Sequence, residues 1–353
     1  MRTFVHESSP GRVVFGADVV DRVGDEVRRL GGNRPLVVSG PSRRSVDRVR
    51  RGLDPLAVGE FAGAAMHAPV EVTEQALTEL RRHRADCVVS IGGGSATGLS
   101  KALAARTDLP QVVIPTTYSG SEVTSVLGET SQGRKTTRSS PMLLPETVLY
   151  DVNLTLGLPV AASVTSAVNA MAHAVEALYS PQANGLVDAV ALAAIRMIGP
   201  GLSGIRVDPR DTECRAALLE AAWLAGMTLA SAGMGLHHKL CHVLGGSFGL
   251  AHAPTHTVVL PHVLAYNSPA IGRTTARIAD ALGVGDAAVG LAHTIRDLGG
   301  PVSLRALGLR EADLPEVARR AVAAPYANPR PVEQAPLEAL LRIAWEGGDP
   351  RTP

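Results

Sequence analysis

Aromatic side chains are scarce in this sequence, since Phe, Trp and Tyr make up only 3% of its 353 residues. Hydrophobic residues nevertheless account for 45% of the chain, so we expect a core of Ala, Leu and Val large enough for two domains. Net charge is also nearly absent, at +1 for pH 7. Without a basic stripe or an aromatic-interleaved basic patch, the sequence argues against nucleic acid as a partner.

Cysteine is rare as well: Cys87, Cys214 and Cys241 form no CxxC pair and no even-numbered framework. This usage predicts reduced thiols in a cytoplasmic protein. Cys241 lies among histidines, and we interpret it as a small packing residue rather than a reactive thiol. The N-terminus lacks an apolar signal segment, and we see no run of the roughly 18 apolar residues that span a bilayer. We therefore expect no membrane partner.

The first half of the chain alternates short β-branched runs with helical periods, which predicts a doubly wound, mostly parallel sheet. The predicted strands are 35–40, 86–91 and 111–114, and the predicted helices are 21–30, 73–82 and 99–106. Beyond residues 151–158 only long helical periods remain, at 161–180, 186–198, 212–234 and 236–244. We predict an α/β dinucleotide-binding domain over residues 1–155 and an all-helical catalytic domain over 156–353. The apolar helix 212–234 is expected in the middle of the helical bundle.

A glycine-rich turn follows the strand that ends at Ile91, and a helix follows the turn. Glycines allow a close approach of the backbone to an anion, and a helix N-terminus favours negative charge. The turn is not a GxGxxG fingerprint. Polar residues after the next strand strengthen the prediction of a dinucleotide crevice at the carboxyl ends of the strands. The predicted cofactor-binding residues are Gly92, Gly93, Gly94, Ser95, Thr116, Thr117, Ser119 and Ser121.

Ser39 ends another predicted strand and is assigned to the same crevice. That strand lacks the acidic residue that would bind a ribose 2′-hydroxyl. Arg43 and Arg44 follow it, either as ligands of an extra phosphate or as solvated side chains. The sequence therefore leaves both NADH and NADPH open as cofactors.

Histidines are concentrated in one stretch, Gly235–His256, which holds five of the 11 in the chain. His238 and His242 are four residues apart, so they share one face of a helix, and Gly245 and Gly246 are predicted to end that helix. Asn169 and His173 form a second such pair in an apolar helical run. Two pairs of this kind predict one pocket between helices. Hydrogen-bonded core histidines are the alternative, although burying so many imidazoles is costly.

With these motifs the chain resembles the iron-containing alcohol dehydrogenase superfamily, and within it the maleylacetate reductases. The segments that carry the resemblance are Gly11–Gly16, Met66–Val70, Ile91–Ser95, Pro115–Glu122, Leu154–Pro159, Ser163–Ser166, Asn169–Tyr179, Gly235–His256 and Tyr326–Pro331. The resemblance implies the dehydroquinate synthase-like fold of that superfamily, use of NADH or NADPH, and a homodimer. It also implies that Lys135 lies at the edge of the cofactor site, with a plain loop lysine as the alternative.

In metal-using members of this superfamily, an Asp and three His hold a cation. The matching positions here are Asn169, His173, His238 and His252, because 173 − 169 = 4 and 252 − 238 = 14. Asparagine in place of aspartate removes the anionic ligand, as in the maleylacetate reductases, and we favour a site without a metal. The resemblance then assigns His242 as the proton donor, with His173, His238 and His252 binding substrate carboxylate or donating protons.

The resemblance implies a small acidic or carbonyl substrate, reduced by hydride from the dihydronicotinamide, and maleylacetate reduction to 3-oxoadipate in aromatic catabolism is the activity expected. Lys239, Tyr326 and Arg330 are candidates for holding the substrate, with surface or capping roles as the alternative. The segment Arg138–Met142 departs from the family pattern, because the arginines common there are displaced or absent. A reductase of another small carbonyl or enone therefore stays open.

Three further alternatives belong to other classes. They are a metal-dependent alcohol dehydrogenase, a lyase like the dehydroquinate synthases, which use NAD without net redox change, and a nucleotide-binding protein without catalysis.

Overall fold

The computed structural model describes residues 11–56, 58–131 and 134–351. These residues divide into two compact units. The first comprises the described residues up to Leu158 together with Arg210–Leu219. The second comprises Pro159–Pro209 and the described residues from Glu220 onward.

The first unit is built on a six-stranded sheet in which every described pairing is parallel. Its strands are β1 (Arg12–Gly16), β2 (Pro35–Ser39), β3 (Gly59–Phe61), β4 (Cys87–Gly92), β5 (Gln111–Pro115) and β8 (Thr147–Asp151), in the order β1-β8-β5-β4-β2-β3. Its helices are α1 (Val23–Arg29), α2 (Val46–Leu53), α3 (Val70–His83) and α4 (Gly94–Thr107). This unit confirms the predicted α/β part of the fold class.

The central strands β2 and β5 are buried along their whole length, as expected for a parallel sheet covered on both faces. The register of β4 and β5 determines where the two turns of the predicted cofactor site lie. Gly92 of β4 pairs with Pro115 of β5, so the two turns that follow these strands begin at the same edge of the sheet.

Some elements of this unit were not predicted. An antiparallel hairpin of β6 (Val126–Ser131) and β7 (Arg134–Ser139) stands apart from the main sheet. Its polar, arginine-containing strands lack the apolar alternation by which a strand is recognised. The short β3 was missed for a different reason, because three residues are too few to show a period.

The second unit is helical, which confirms the other part of the fold class. Its helices are α5 (Val160–Leu178), α6 (Gly185–Val207), α8 (Leu236–Phe248), α9 (His252–Asn267), α10 (Gly272–Leu282), α11 (Ala287–Asp297), α12 (Leu314–Val322) and α13 (Gln334–Glu346). Helix α5 is buried on nearly all sides after its first turn. It packs against α6 and α9, and α9 also packs against α8, so the helices that carry the histidines are neighbours.

Two predictions about these helices are wrong. Helix α8 does not end at Gly245 and Gly246 but continues to Phe248, and Gly249, with a φ of 72°, terminates it. The helix over 212–234 is α7 (Thr212–Ala232), and it is not buried in the middle of a bundle. Met227 is 40% exposed, and the first part of α7 belongs to the first unit.

The expectation that no stretch is apolar enough for a bilayer is also wrong by length and hydropathy alone. Within the described residues, Gly185–Val207 and Gly272–Asp297 meet both criteria, and a bent pair of helices over 212–248 meets them together. Helix α6, one of these stretches, packs against α5 and α10. Its Asp188 accepts a hydrogen bond from Arg277 at 2.8 Å.

Candidate active site

The glycine turn of the first unit has a backbone that suits an anion. Gly92 has a φ of 148°, a conformation that favours glycine, and Gly93 is the N-cap of α4. A Cβ on Gly93 would lie 3.1 Å from the side chain of Thr117. Gly93 therefore lets the helix N-terminus, where Gly94 and Ser95 lie, contact the neighbouring turn.

The second turn follows β5 and is tied to the first. The amide of Thr116 donates to the carbonyl of Gly92 at 2.8 Å. The hydroxyls of Ser119 and Ser121 are 2.9 Å apart, and the Ser119 hydroxyl donates to Glu122 at 3.0 Å. The structure thus brings together the predicted glycines, threonines and serines at one edge of the sheet.

Two buried charged residues that sequence reasoning missed support this turn. Glu122 is fully buried and accepts a bond from the Tyr150 hydroxyl at 2.9 Å; burial raises the pKa of Glu122, although its hydrogen bonds oppose the shift. The ammonium of Lys101 donates to the carbonyls of Ser121, Thr124 and Val126, at 2.6, 2.7 and 3.0 Å. Burial lowers the pKa of Lys101 to about 7. Lys101 could have been noticed in the sequence as a single lysine within the apolar pattern of α4.

The other residues considered for the cofactor bond to protein groups or lie outside the described residues. Ser39 is buried at the end of β2, and its hydroxyl donates to the carbonyl of Gly40 at 3.2 Å. The side chain of Lys135 lies outside the described residues. Arg43 pairs with Glu60 at 2.8 Å, and Arg44 donates to the carbonyl of Gly157 at 2.7 Å. Both arginines therefore already have protein partners.

In the helical unit, the predicted histidines of α5 and α8 meet directly. Nδ1 of His173 lies 2.9 Å from Nε2 of His238, and the two rings stack with centroids 4.9 Å apart. Both side chains are buried. The ring of His242 is 6.3 Å from that of His238, and His242 is only partly buried. Asn169 lies one turn before His173 on α5 and is buried.

A second row of imidazoles lies beside the first. His252 opens α9, is partly buried, and has its ring 4.4 Å from that of His256. Nδ1 of His256 in turn lies 2.8 Å from Nε2 of His237. The ring centroids of His238 and His256 are 5.1 Å apart. We call His173, His237, His238, His242, His252 and His256 the histidine cluster.

Glu176 is the carboxylate of the cluster, and the sequence reasoning missed it. One of its oxygens lies 2.5 Å from Nδ1 of His238 and accepts the amide of Gly235 at 2.9 Å. The other accepts the amide of His237 at 2.7 Å. Burial by itself would raise the pKa of Glu176, but the charge and hydrogen bond of His238 outweigh it and lower the pKa to about 2. The missed signal was its spacing, three residues after His173 on the same face of α5.

Among the described residues, only one group of three or more His, Cys, Asp or Glu brings its ligand atoms within 4.8 Å of one another: His237, Cys241 and His256. All three are buried, and burial lowers the pKa of His237 to about 3. The two imidazoles bond each other directly, and the group holds no carboxylate. We interpret it as a hydrogen-bonded core pair beside a packing cysteine.

The residues that match the family's metal ligands fit a hard cation such as iron(II) poorly, although three imidazoles can hold zinc. Asn169 and the three histidines are neutral donors, whereas hard divalent cations prefer carboxylate oxygens. His173 and His238 are hydrogen-bonded to each other through the nitrogens Nδ1 and Nε2. The nearby carboxylate of Glu176 is already engaged by His238 and two backbone amides.

Of the three residues predicted to hold the substrate, Arg330 has a structural role. The guanidinium of Arg330 stacks 4.2 Å over the ring of Tyr266 and donates to its carbonyl at 3.0 Å, which is the capping alternative. Nζ of Lys239 lies 5.9 Å from the ring centre of Tyr326. The hydroxyl of Tyr326 is buried and has no hydrogen-bond partner among the described residues.

Comparison with known proteins identifies the family. The family model for iron-containing alcohol dehydrogenase matches residues 10–152, and that for the C-terminal part of the family matches residues 163–345. Maleylacetate reductase 1 of Rhodococcus opacus is 53% identical over 98% of each chain. The crystal structure of maleylacetate reductase from Rhizobium sp. strain MTP-10005 is 50% identical, with a TM-score of 0.93 over 99% of this chain and 100% of that one.

A more distant relative extends the match. The crystal structure of an iron-containing alcohol dehydrogenase from Corynebacterium glutamicum is 39% identical and has a TM-score of 0.93 over 99% of both chains. Both family models together cover most of the sequence. The chain therefore belongs to the iron-containing alcohol dehydrogenase family of oxidoreductases.

Proposed function

We propose that this chain reduces maleylacetate to 3-oxoadipate with NADH or NADPH, without a metal ion. One observation carries the proposal: imidazoles from α5, α8 and α9 meet in one cluster, and Asn169 occupies the position where metal-using relatives have a carboxylate ligand. We infer the substrate from the Rhodococcus opacus enzyme, which is named maleylacetate reductase 1 and is 53% identical to this chain. Reductase chemistry is also the activity of the family to which the chain belongs.

The reaction is a conjugate reduction. The dihydronicotinamide, when bound, would supply a hydride to the alkene carbon β to the ketone, and the π electrons would move toward the ketone oxygen. A proton then reaches the carbon next to the ketone, so that maleylacetate, NADH and one proton give 3-oxoadipate and NAD⁺. Negative charge develops on oxygen in the transition state, and donors aimed at that oxygen lower the barrier.

The histidine cluster supplies such donors. Histidine can release a proton near neutral pH, and His242 and His252 are the cluster members that are only partly buried. We assign proton donation to His242 and substrate binding to His252 and His173. His238 lies behind His173 and orients it through their hydrogen bond.

The nucleotide is assigned to the first unit. The Gly92–Ser95 turn and the α4 N-terminus would hold the pyrophosphate, and Thr116, Thr117, Ser119 and Ser121 would hydrogen-bond the remainder of the cofactor. The proposal includes a cytoplasmic location, a homodimer, and no membrane or nucleic-acid partner.

A second candidate, a reductase of another enone or carbonyl compound, is favoured by the β6–β7 hairpin. Arg138 pairs with Glu129 at 2.9 Å, and Glu129 also binds Arg106 at 2.8 Å. An arginine engaged in this way is poorly suited to bind a second substrate carboxylate, and Met142, 45% exposed, adds no charge.

The test is a comparison of NADH and NADPH oxidation with maleylacetate, with enones carrying one carboxylate or none, and with simple aldehydes. Each substrate is assayed with and without a strong chelator. We expect maleylacetate to have the highest kcat/KM and chelation to leave it unchanged. A monocarboxylate enone with a higher kcat/KM would establish the second candidate, and loss of turnover on chelation would contradict the metal-free site.

A further inference from the structure

Glu176 touches the histidine cluster through a carboxylate whose two oxygens have three polar partners. The backbone amides of Gly235 and His237 donate to its two oxygens, and the ring nitrogen Nδ1 of His238 lies 2.5 Å from one of them. The side chain is 1% exposed, so water cannot replace a missing partner. A Cβ on Gly235 would lie 3.0 Å from the carboxylate, which is closer than such contacts normally come.

An ionised carboxylate is the form that accepts fully from the backbone on both oxygens. Both backbone amides are obligatory donors, and each points at a different oxygen. An amide side chain has one oxygen and one NH₂ group. In either orientation, its NH₂ would face a backbone N–H and leave that donor buried without an acceptor. A protonated acid would turn its O–H toward Nδ1 of His238 and leave the Gly235 amide only a hydroxyl oxygen, which is a weaker acceptor than a carboxylate oxygen.

The ionised carboxylate in turn fixes the tautomer of His238. Because Glu176 only accepts, the hydrogen of a neutral His238 must be on Nδ1. Nε2 of His238 then carries a lone pair and must accept from His173, whose Nδ1 lies 2.9 Å away. His173 consequently keeps a hydrogen on Nδ1, and a substrate carboxylate would be bound by the Nε2–H of the protonated ring.

We propose that Glu176 is a positioning residue for the reduction, which sets the direction of the hydrogen bonds along His173–His238–Glu176 and so fixes the ring plane that His173 presents to the substrate and the hydrogen on its Nδ1. The inference rests on the proposed function, because it assigns His173 to substrate binding. A role limited to capping α8 would require the two backbone bonds alone. The third bond, to His238 Nδ1, is the one that reaches the histidine cluster.

The test is Glu176→Gln, with Asp188→Asn as the matched control. Asp188 is also a buried carboxylate of the helical unit, and it accepts a hydrogen bond from Arg277. For Glu176→Gln we expect kcat to fall about 10- to 100-fold, the effect typical of losing a partner that orients a functional histidine. We expect the KM for NADH to change by less than about twofold, since the cofactor residues lie on other elements. Asp188→Asn should keep the wild-type kcat.

A second measurement does not depend on turnover. Histidine-selective ¹⁵N NMR of the wild-type protein, with His238→Ala to assign the resonance, reports which ring nitrogen of His238 carries the hydrogen. We expect Nδ1–H in the wild type and its loss in Glu176→Gln. A wild-type His238 protonated on Nε2 alone overturns the inference, as does a Glu176→Gln variant with unchanged kcat. If Glu176→Gln does not fold, the wild-type tautomer decides alone. Failure of maleylacetate turnover would contradict the proposed function while leaving the tautomer result intact.

Discussion

His242 is more exposed than most of the histidine cluster, a property it shares with His252 alone among the cluster residues. It is only partly buried, whereas His173, His237, His238 and His256 are buried, and its helix also carries His238 one turn earlier. A proton donor must contact substrate and exchange its proton afterwards. Of the imidazoles on α8, His242 is the one with the exposure for both steps.

We predict that His242→Ala lowers kcat by about 10²- to 10⁴-fold, because a general acid contributes that much to a rate. The dissociation constant for NADH should stay within about twofold of wild type, since the nucleotide is assigned to the first unit. Steady-state kinetics and fluorescence titration with NADH measure the two quantities.

His293→Ala is the matched control, because His293 is exposed on α11 and pairs with Asp349. It should retain wild-type turnover. Equal turnover of His242→Ala and wild type would remove His242 from the mechanism.

At the scale of single residues, sequence reasoning found histidines and missed the charges that orient them. Histidines are conspicuous because they are rare and spaced four apart. Glu176 and Lys101 each interrupt an apolar helix once, and a single interruption does not show which distant groups the side chain will meet. Glu176 bonds residues 59 to 62 positions away, and Lys101 bonds a loop 20 to 25 positions away. Such pairings follow from topology, which periodicity does not supply.

At the scale of elements, the buried strands of the sheet were predictable because a continuous β-branched run between turn signals has few other interpretations. The hairpin of β6 and β7 was not, since its polar residues carry no alternation. The end of α8 was misplaced for a related reason. Glycines 245 and 246 are poor helix formers, yet packing of α8 against α9 and α12 outweighs this local preference. The actual stop is the left-handed Gly249.

Lys101 joins helix α4 to the turn that follows β5. Its ammonium bonds the carbonyls of Ser121, Thr124 and Val126 and the hydroxyl of Thr124. The same turn carries Ser119 and Ser121, which we assign to the cofactor. The buried lysine therefore holds the turn in place beside the glycine loop at the start of its own helix.

We predict that Lys101→Met raises the dissociation constant for NADH about tenfold or more, because several buried carbonyls lose their donor at a cost of about 1–3 kcal/mol each and the turn rearranges. The kcat at saturating NADH should change less than the KM for NADH. Fluorescence titration and steady-state kinetics give both values.

Arg106→Met on the same helix is the control. Arg106 binds Glu129 and the carbonyl of Ala102, neither of which lies in the turn, so NADH affinity should be retained. A Lys101→Met protein that binds NADH as tightly as wild type would show that the turn holds its shape without the lysine.

At the scale of the whole molecule, buried neutral histidines make stability depend on pH. Burial lowers the pKa of His237 to about 3 and that of His262 to about 4, and it lowers the pKa of His256 well below its ordinary value of 6.5. The folded protein therefore binds fewer protons than the unfolded chain once the pH falls below 6.5. Each such histidine then removes stability as the pH decreases toward its folded pKa.

Glu176 acts in the same direction but at lower pH. Its pKa is lowered from 4.5 to about 2, so the stability it contributes is fully present above pH 4.5 and is lost as the pH falls toward 2. The interval between pH 6.5 and 4.5 consequently isolates the histidines from this carboxylate.

We predict that the thermal unfolding midpoint falls steadily from pH 6.5 to pH 4.5, and that His262→Leu makes the fall shallower. In the variant, the unfolded chain should bind about one proton fewer in this interval. The dependence of the unfolding free energy on pH should therefore decrease by about 1.4 kcal/mol per pH unit. Thermal unfolding followed by circular dichroism across this interval measures the slope. His293→Gln, which removes an exposed imidazole, should leave the slope as in wild type. A His262→Leu slope identical to wild type would mean that His262 accepts a proton in the folded protein as readily as in the unfolded chain, which its burial argues against.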